Sequence, residues 1–247
     1  MCGQKAWFRY AILMVAMFSC SQAMSSVVIT GTRVVYPENK REVTIKINNE
    51  GSSPVLVQSW VDHGDPTSTP SNSSAPFVIS PPVSRVDPGK GQSLRLMFTG
   101  APLAGDKESV FWLNVLEIPA KVSTGEDQNV LEMAFRSRIK IFYRPVKLPG
   151  TPAEAIAAVQ WKVVPHSGGT YALQAFNPTA FYVSLGDLKL IVGSQNIFSE
   201  AGMIAPGETH LFALPDLKSI PAAGAEVEYS GINDYGALVP VRKPVTP

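Results

Sequence analysis

Residues 129–145 read NVLEMAFRSRIKIFYRP, from Asn129 to Pro145. Leu131, Met133, Phe135, Ile139, Ile141 and Tyr143 fall at every second position, interrupted only by Ser137, while Glu132, Arg136, Arg138 and Lys140 fill the places between. Side chains that alternate with a period of two point to opposite faces of an extended chain, so the run predicts a β-strand. It is longer than an ordinary strand. Pro145 ends it, because proline has no N–H to give to a ladder.

The flanking chain reads the same way. Ser26 to Tyr36 is mostly β-branched with Gly31 inside it, a position for a kink or a close backbone approach. Arg41 to Asn48 alternates, with Val43, Ile45 and Ile47 inward. Val55–Val61, Phe77–Ser80, Ser93–Phe98 and Ser109–Ile118 follow, separated by turns such as Asp87-Pro88-Gly89. The polar segment from His63 to Ala75 is expected to be a loop. Leu148-Pro149-Gly150-Thr151-Pro152 marks a boundary. Beyond it, Glu154 to Val159 can form a helical turn. Strands are expected at Trp161–Val164, Tyr171–Phe176, Tyr182–Ile191, Thr209–Ala213, Glu226–Ile232 and Leu238–Val241. Short strands between Gly/Pro turns predict two successive β-sandwiches, an all-β protein.

The chain begins with a segment that is not part of this pattern. Lys5 and Arg9 precede an apolar run from Tyr10 to Phe18 and a small-residue site ending at Ala23. This reads as a secretory signal peptide over residues 1–23, the run being short for a membrane anchor. Its removal takes both cysteines, Cys2 and Cys20, and leaves a chain that must be held by core burial rather than disulfides. The expected domains are residues 24–146 and 147–247. With 21 Lys and Arg against 20 Asp and Glu, there is no basic excess for nucleic acid. The three histidines have no Cys or second His beside them, and no GxSxG, HExxH or phosphate-loop motif is present. Neither an enzyme nor a cofactor or metal site is expected.

Several stretches together resemble one family. LAGDKESVFWLNVLEIP (103–119), PVLVQSW (54–60), PFVISPP (76–82), DPGKGQSLR (87–95), RIKIFYRP (138–145), NPT (177–179) and INDYGA (232–237) are similar to the periplasmic pilus chaperones of the chaperone–usher pathway. The resemblance spans nearly the whole mature chain. It implies two immunoglobulin-like domains in an L or boomerang arrangement, working in the periplasm with pilus subunits and an outer-membrane usher as partners. Members lend a strand to a subunit that lacks one of its own, the strand-addition mode. It further implies weak self-association of the free protein. The short connection from Ala120 to Gln128 resembles the short-loop subclass.

Site residues follow by position in the matched motifs. Arg33 and Lys140, with Thr32 beside them, would hold a subunit's C-terminal carboxylate. On the residues alone, the favoured reading is Arg33 as a solvated edge residue and Lys140 as an outward strand residue, because Arg136 and Arg138 look as available as Lys140. Leu131, Met133 and Phe135 would be the donated residues, though the same row could pack into this domain's own core. Donation requires the row to leave the core before Ile139, through a twist or bulge near Arg136-Ser137. Glu108, Arg144 and Asp234 would form an ion network between the domains. Trp60 and Trp112 are expected only as sandwich core. A pilus subunit or adhesin is the competing reading, against which stands the absence of cysteine from the mature chain.

Overall fold

The computed structural model describes residues 26–120, 133–221 and 224–245. The signal segment, Leu131 and nearly all of the 120–128 connection lie outside these residues. In the first half, β1 (Val27–Ile29), β3 (Val43–Asn49), β7 (Gly91–Phe98) and β5 (Phe77–Ser80) form one sheet in the order β1-β3-β7-β5. The second sheet runs β2-β9-β8-β4-β6, from β2 (Arg33–Pro37), β9 (Phe135–Arg144), β8 (Ser109–Pro119), β4 (Val55–Asp62) and β6 (Val83–Val86). The predicted alternation holds in β3, where Ile45 and Ile47 are buried and Thr44, Lys46 and Asn48 exposed. They meet Leu94, Leu96, Val57, Leu113 and Ile141 between the two sheets.

In the second half, α1 (Pro152–Ala158) is a full short helix rather than a single turn. Thr151 Oγ1 caps it by accepting from the Glu154 N–H at 3.2 Å. β10 (Gln160–Pro165), β11 (Tyr171–Phe176) and β15 (Thr209–Leu214) form one sheet. The other runs β13-β12-β16-β17, from β13 (Gln195–Phe198), β12 (Val183–Val192), β16 (Glu226–Ile232) and β17 (Leu238–Pro244), with β14 (Met203–Ile204) also on β12. Trp161, Leu173, Leu190, Phe212, Val227 and Tyr229 fill this second core.

Four sequence expectations change. Ser26 to Tyr36 is two strands in two facing sheets, and Gly31, at φ 98°, takes the chain from one to the other. β6, β13 and β14 were not foreseen; Pro81-Pro82 ends β5 without preventing a new strand, and the others are edge or two-residue pieces with little periodicity. Trp60 and Trp112 are not part of the core between the sheets. They share the outward row of β4 and β8 with Asp62 and Asn114, which face each other crosswise in the register Trp60↔Asn114 and Asp62↔Trp112. Finally, β8 and β9 pair in unbroken register from Glu117↔Phe135 to Ser109↔Tyr143, so no bulge occurs at Arg136-Ser137.

Candidate functional site

The start of β2 and the middle of β9 lie where the first sandwich meets the second, as the contact of Arg33 with the Ile232 carbonyl shows. Their parallel register sets Arg33 directly beside Lys140. Both side chains lie on the outward row of the sheet. The Arg33 guanidinium stands over the Phe142 ring at 5.6 Å and donates through Nη1 to the Ile232 carbonyl of the second sandwich at 2.9 Å. Its buried Nε has no hydrogen-bond partner among the described residues. No carboxylate lies within ion-pair distance of Arg33 or Lys140 among these residues. Burial, followed by the positive charge of Arg33, holds the Lys140 ammonium below its ordinary range. Burial also lowers Arg33, with Asp234 and Glu108 opposing it from a distance. Two half-sheltered cations with no carboxylate in direct contact among the described residues make a site that gains by accepting an anion, above all a carboxylate that can meet the guanidinium fork. Thr32 is exposed and packs beneath Gly236, whose φ of 85° and contact with the Thr32 hydroxyl leave no room for a side chain.

The arginines that looked interchangeable with Lys140 are committed elsewhere. Arg138 Nη2 meets both oxygens of Asp62, at 2.8 and 3.0 Å, and Arg136 Nη2 lies 3.5 Å from the same carboxylate. Period two alone cannot show this, because Asp62 is 76 residues away from Arg138.

Glu108, Arg144 and Asp234 come together across the two halves. Arg144 Nε donates to Glu108 Oε1 at 2.6 Å, and Nη1 and Nη2 grip Asp234 at 2.6 and 2.8 Å. Glu108 Oε2 accepts from the Tyr182 N–H at 2.8 Å, which extends the link into the second sandwich. Burial pushes the Glu108 carboxyl up, while Arg144 and the Tyr182 N–H pull it back.

The first half of β9 is the other exposed feature. β2 pairs only with Lys140–Arg144, so Phe135–Ile139 show an unpaired backbone edge among the described residues. Met133 is 54% exposed, Phe135 and Ile139 are half-buried, and Ile141 is fully buried. The apolar row leaves the core without a bulge because its cross-strand neighbour changes character. Phe135 sits opposite Glu117, a buried carboxylate that receives the Val27 N–H at 3.0 Å and the Ser26 hydroxyl. That end of the sandwich is polar and does not take the row in.

Two immunoglobulin-like sandwiches, a cation pair between them and an open strand edge leading to it define a class of binding protein. A model described as the pili and flagellar-assembly chaperone, PapD N-terminal domain, matches residues 26–149, and one described as the pili assembly chaperone PapD, C-terminal domain, matches residues 154–243. The chaperone protein FimB/FhaD of Bordetella pertussis is 40% identical over 222 residues, covering 88% of this chain and 87% of that protein. The crystal structure of the Escherichia coli YadV chaperone superposes with a TM-score of 0.78 at 37% identity, covering 90% of this chain and all of that one. The structure of the Salmonella enterica SafA pilin in complex with the SafB chaperone matches with a TM-score of 0.73 at 25% identity, over 91% of this chain and 99% of that chain. The chain belongs to the pilus-assembly chaperone family, a class of binding proteins rather than enzymes. The competing reading as a subunit or adhesin is set aside. Among the described residues no helix is long and apolar enough to cross a membrane.

Proposed function

We propose that this chain is a periplasmic, non-enzymatic chaperone that binds pilus subunits by lending them the first half of β9 and passes them to an outer-membrane usher. The carrying observation is that, among the described residues, an unpaired strand edge ends at a cation pair that no carboxylate contacts directly. An extended segment of a subunit adds to the edge at Phe135–Ile139 through main-chain hydrogen bonds. Leu131, Met133 and Phe135 enter the subunit's open core. The subunit's terminal carboxylate sits on Arg33 and Lys140, with Thr32 adding a hydroxyl. The anchor fixes register, since it allows one alignment of the tail along β9. The proposed domain division, residues 24–146 and 147–247, places the anchor at the junction and the donor edge wholly in the first domain.

Met133→Glu tests the donor reading. The side chain is more than half exposed, so the free protein is expected to keep its unfolding midpoint. Capture of a pilin whose own N-terminal arm is deleted, refolded by dilution from denaturant, is expected to fall at least tenfold, since a charge then has to enter an apolar groove. A destabilised protein would return the row to this domain's own core; normal capture would exclude donation.

A pH dependence follows from Lys140. In the free protein its folded-state value lies below the unfolded one, so between the two the unfolded chain holds more protons and stability rises with pH. Bound carboxylate restores the charged form. Tail binding is therefore expected to take up a proton above the depressed value, and affinity to fall as pH rises through that window. Calorimetry in buffers of differing ionisation enthalpy reads the proton directly, and the Lys140→Met protein should show no such uptake.

A further inference from the structure

The outer face of β9 carries a polar network that neither the anchor nor the inter-domain link uses. Asp62 is 2% exposed, Asn114 fully buried and Ser68 4% exposed, yet their side chains are joined to one another. Asn114 Nδ2 donates to Asp62 Oδ2 at 2.7 Å, the Ser68 hydroxyl to the same oxygen at 2.8 Å, and the Gly64 N–H to Asp62 Oδ1 at 2.6 Å. Trp60 Nε1 donates to Ser68 Oγ at 3.1 Å. Into this set reach two side chains from β9. Arg136 donates to Asn114 Oδ1 through Nε and Nη2, at 2.9 and 2.6 Å, and to the Pro66 carbonyl at 2.7 Å. Arg138 Nε donates to the same Asn114 oxygen at 3.0 Å, besides its contacts with Asp62. The Arg136 guanidinium lies over the Trp60 ring at 4.7 Å and that of Arg138 over Trp112 at 5.9 Å. Burial raises the Asp62 carboxyl, but the hydrogen bonds from Asn114, Gly64, Ser68 and Arg138 hold it below the usual range.

The position of these two arginines is the informative point. Arg136 and Arg138 project from the stretch of β9 that has β8 on one side and, among the described residues, no strand on the other. An edge segment with half its ladder missing opens locally with little cost. Here each outward side chain is instead carried back across β8 to β4 and to the 65–68 loop, the opposite direction from the open edge. The edge is left unobstructed and the strand is held from behind. Association that requires a disordered segment to order first is slower and weaker than association with a formed one.

We propose that Arg136 and Arg138 are positioning residues that hold the donor half of β9 extended and in register before a subunit arrives. The proposal rests on the donor-strand reading above. A methionine keeps most of the stem and removes the fork, so the Arg136→Met, Arg138→Met double variant is the probe, with Arg138→Lys as the conservative comparison. Because the double variant strands Asp62, the same measurements are made with Asp62→Asn added, which removes the buried charge without restoring the brace. In the free protein, the β8-facing amides of Phe135–Ile139 are expected to exchange at least tenfold faster, while those of β3 and β7 in the opposite sheet stay at parental rates. Association with the arm-deleted pilin is expected to slow about tenfold. Binding of a short pilin C-terminal peptide at Arg33 and Lys140 should change less than twofold, and Arg138→Lys should recover part of the association rate. Parental exchange at Phe135–Ile139, parental association, or an equal rise in exchange across both sheets would overturn the proposal. If Met133→Glu and Lys140→Met lose capture while the arginine variants keep parental behaviour, only the positioning role has failed. If Met133→Glu and Lys140→Met capture pilin normally, the donor-strand reading has failed and the positioning role falls with it.

Discussion

Lys140→Met is expected to give a free protein more stable than the parent and unable to hold a subunit tail. The ammonium is half-sheltered, stands next to Arg33 in register, and meets no carboxylate among the described residues. Its charge therefore lowers stability in the unliganded state, and an apolar side chain of similar length removes that cost, raising stability by about 1 kcal/mol. For a chain of this size that corresponds to roughly 2–4 °C in the unfolding midpoint. The same change removes one partner of a sheltered charge pair in the complex, a loss of about 2–5 kcal/mol, or at least roughly 30-fold in affinity. The opposite signs of the two effects are the signature of a residue kept for binding at the expense of stability. Differential scanning calorimetry and titration with a free-acid pilin tail, against the amidated tail as control, measure both. A lowered midpoint or an unchanged affinity would remove Lys140 from the anchor. Arg33 is a less clean probe, because its Nη1 also ties the first half to the Ile232 carbonyl of the second. Arg33→Ala is expected to weaken binding and loosen the junction together.

Arg144→Ala is expected to be the most destabilising single change at the junction. One guanidinium satisfies Glu108 at 2.6 Å and both oxygens of Asp234, and it lies over the Phe181 ring at 5.5 Å. Removing it leaves Glu108, whose side chain is 2% exposed, with only the Tyr182 N–H. Stranding a buried carboxylate costs about 3–5 kcal/mol. Asp234, a third exposed, recovers part of its solvation, which places the expected loss near the lower end, about 3 kcal/mol. Acid relieves the defect: burial holds the Glu108 carboxyl above its ordinary range in the parent and further above it once Arg144 is gone, so as pH falls through that raised window the stranded carboxyl takes up its proton first in the variant and the gap between variant and parent narrows. Small-angle scattering should show a broadened distribution of domain separations. An unchanged profile, or a deficit that grows on acidification, would show that Arg144 does not hold the junction.

The inter-domain network and the anchor share one segment. Asp234 and Gly236 sit in the same turn, the first on Arg144 and the second on Thr32, next to Arg33. The ion network thus holds in place the turn that packs on Thr32, beside the proposed anchor. Loosening the network is expected to weaken anchoring even though no contact to the tail is touched.

The alternation of apolar and polar residues determined that this chain is all-β and that Ile45 and Ile47 of β3 face inward. The same alternation bears on the tryptophans: Trp60 shares its parity with Asp62, and Trp112 with Asn114, which is enough to place both rings outside the core. Only the tertiary structure could decide among Arg136, Arg138 and Lys140. The three are equivalent along the strand, and what separates them is the carboxylate of Asp62, distant in sequence, which binds the first two, while the third meets no carboxylate among the described residues. The open edge of β9 was equally hidden, because strand pairing is a relation between segments. That β2 reaches no further than Arg33 is set by Gly31 turning the chain into the opposite sheet, and that turn, far from β9 in sequence, is what leaves Phe135–Ile139 with no second strand beside them among the described residues.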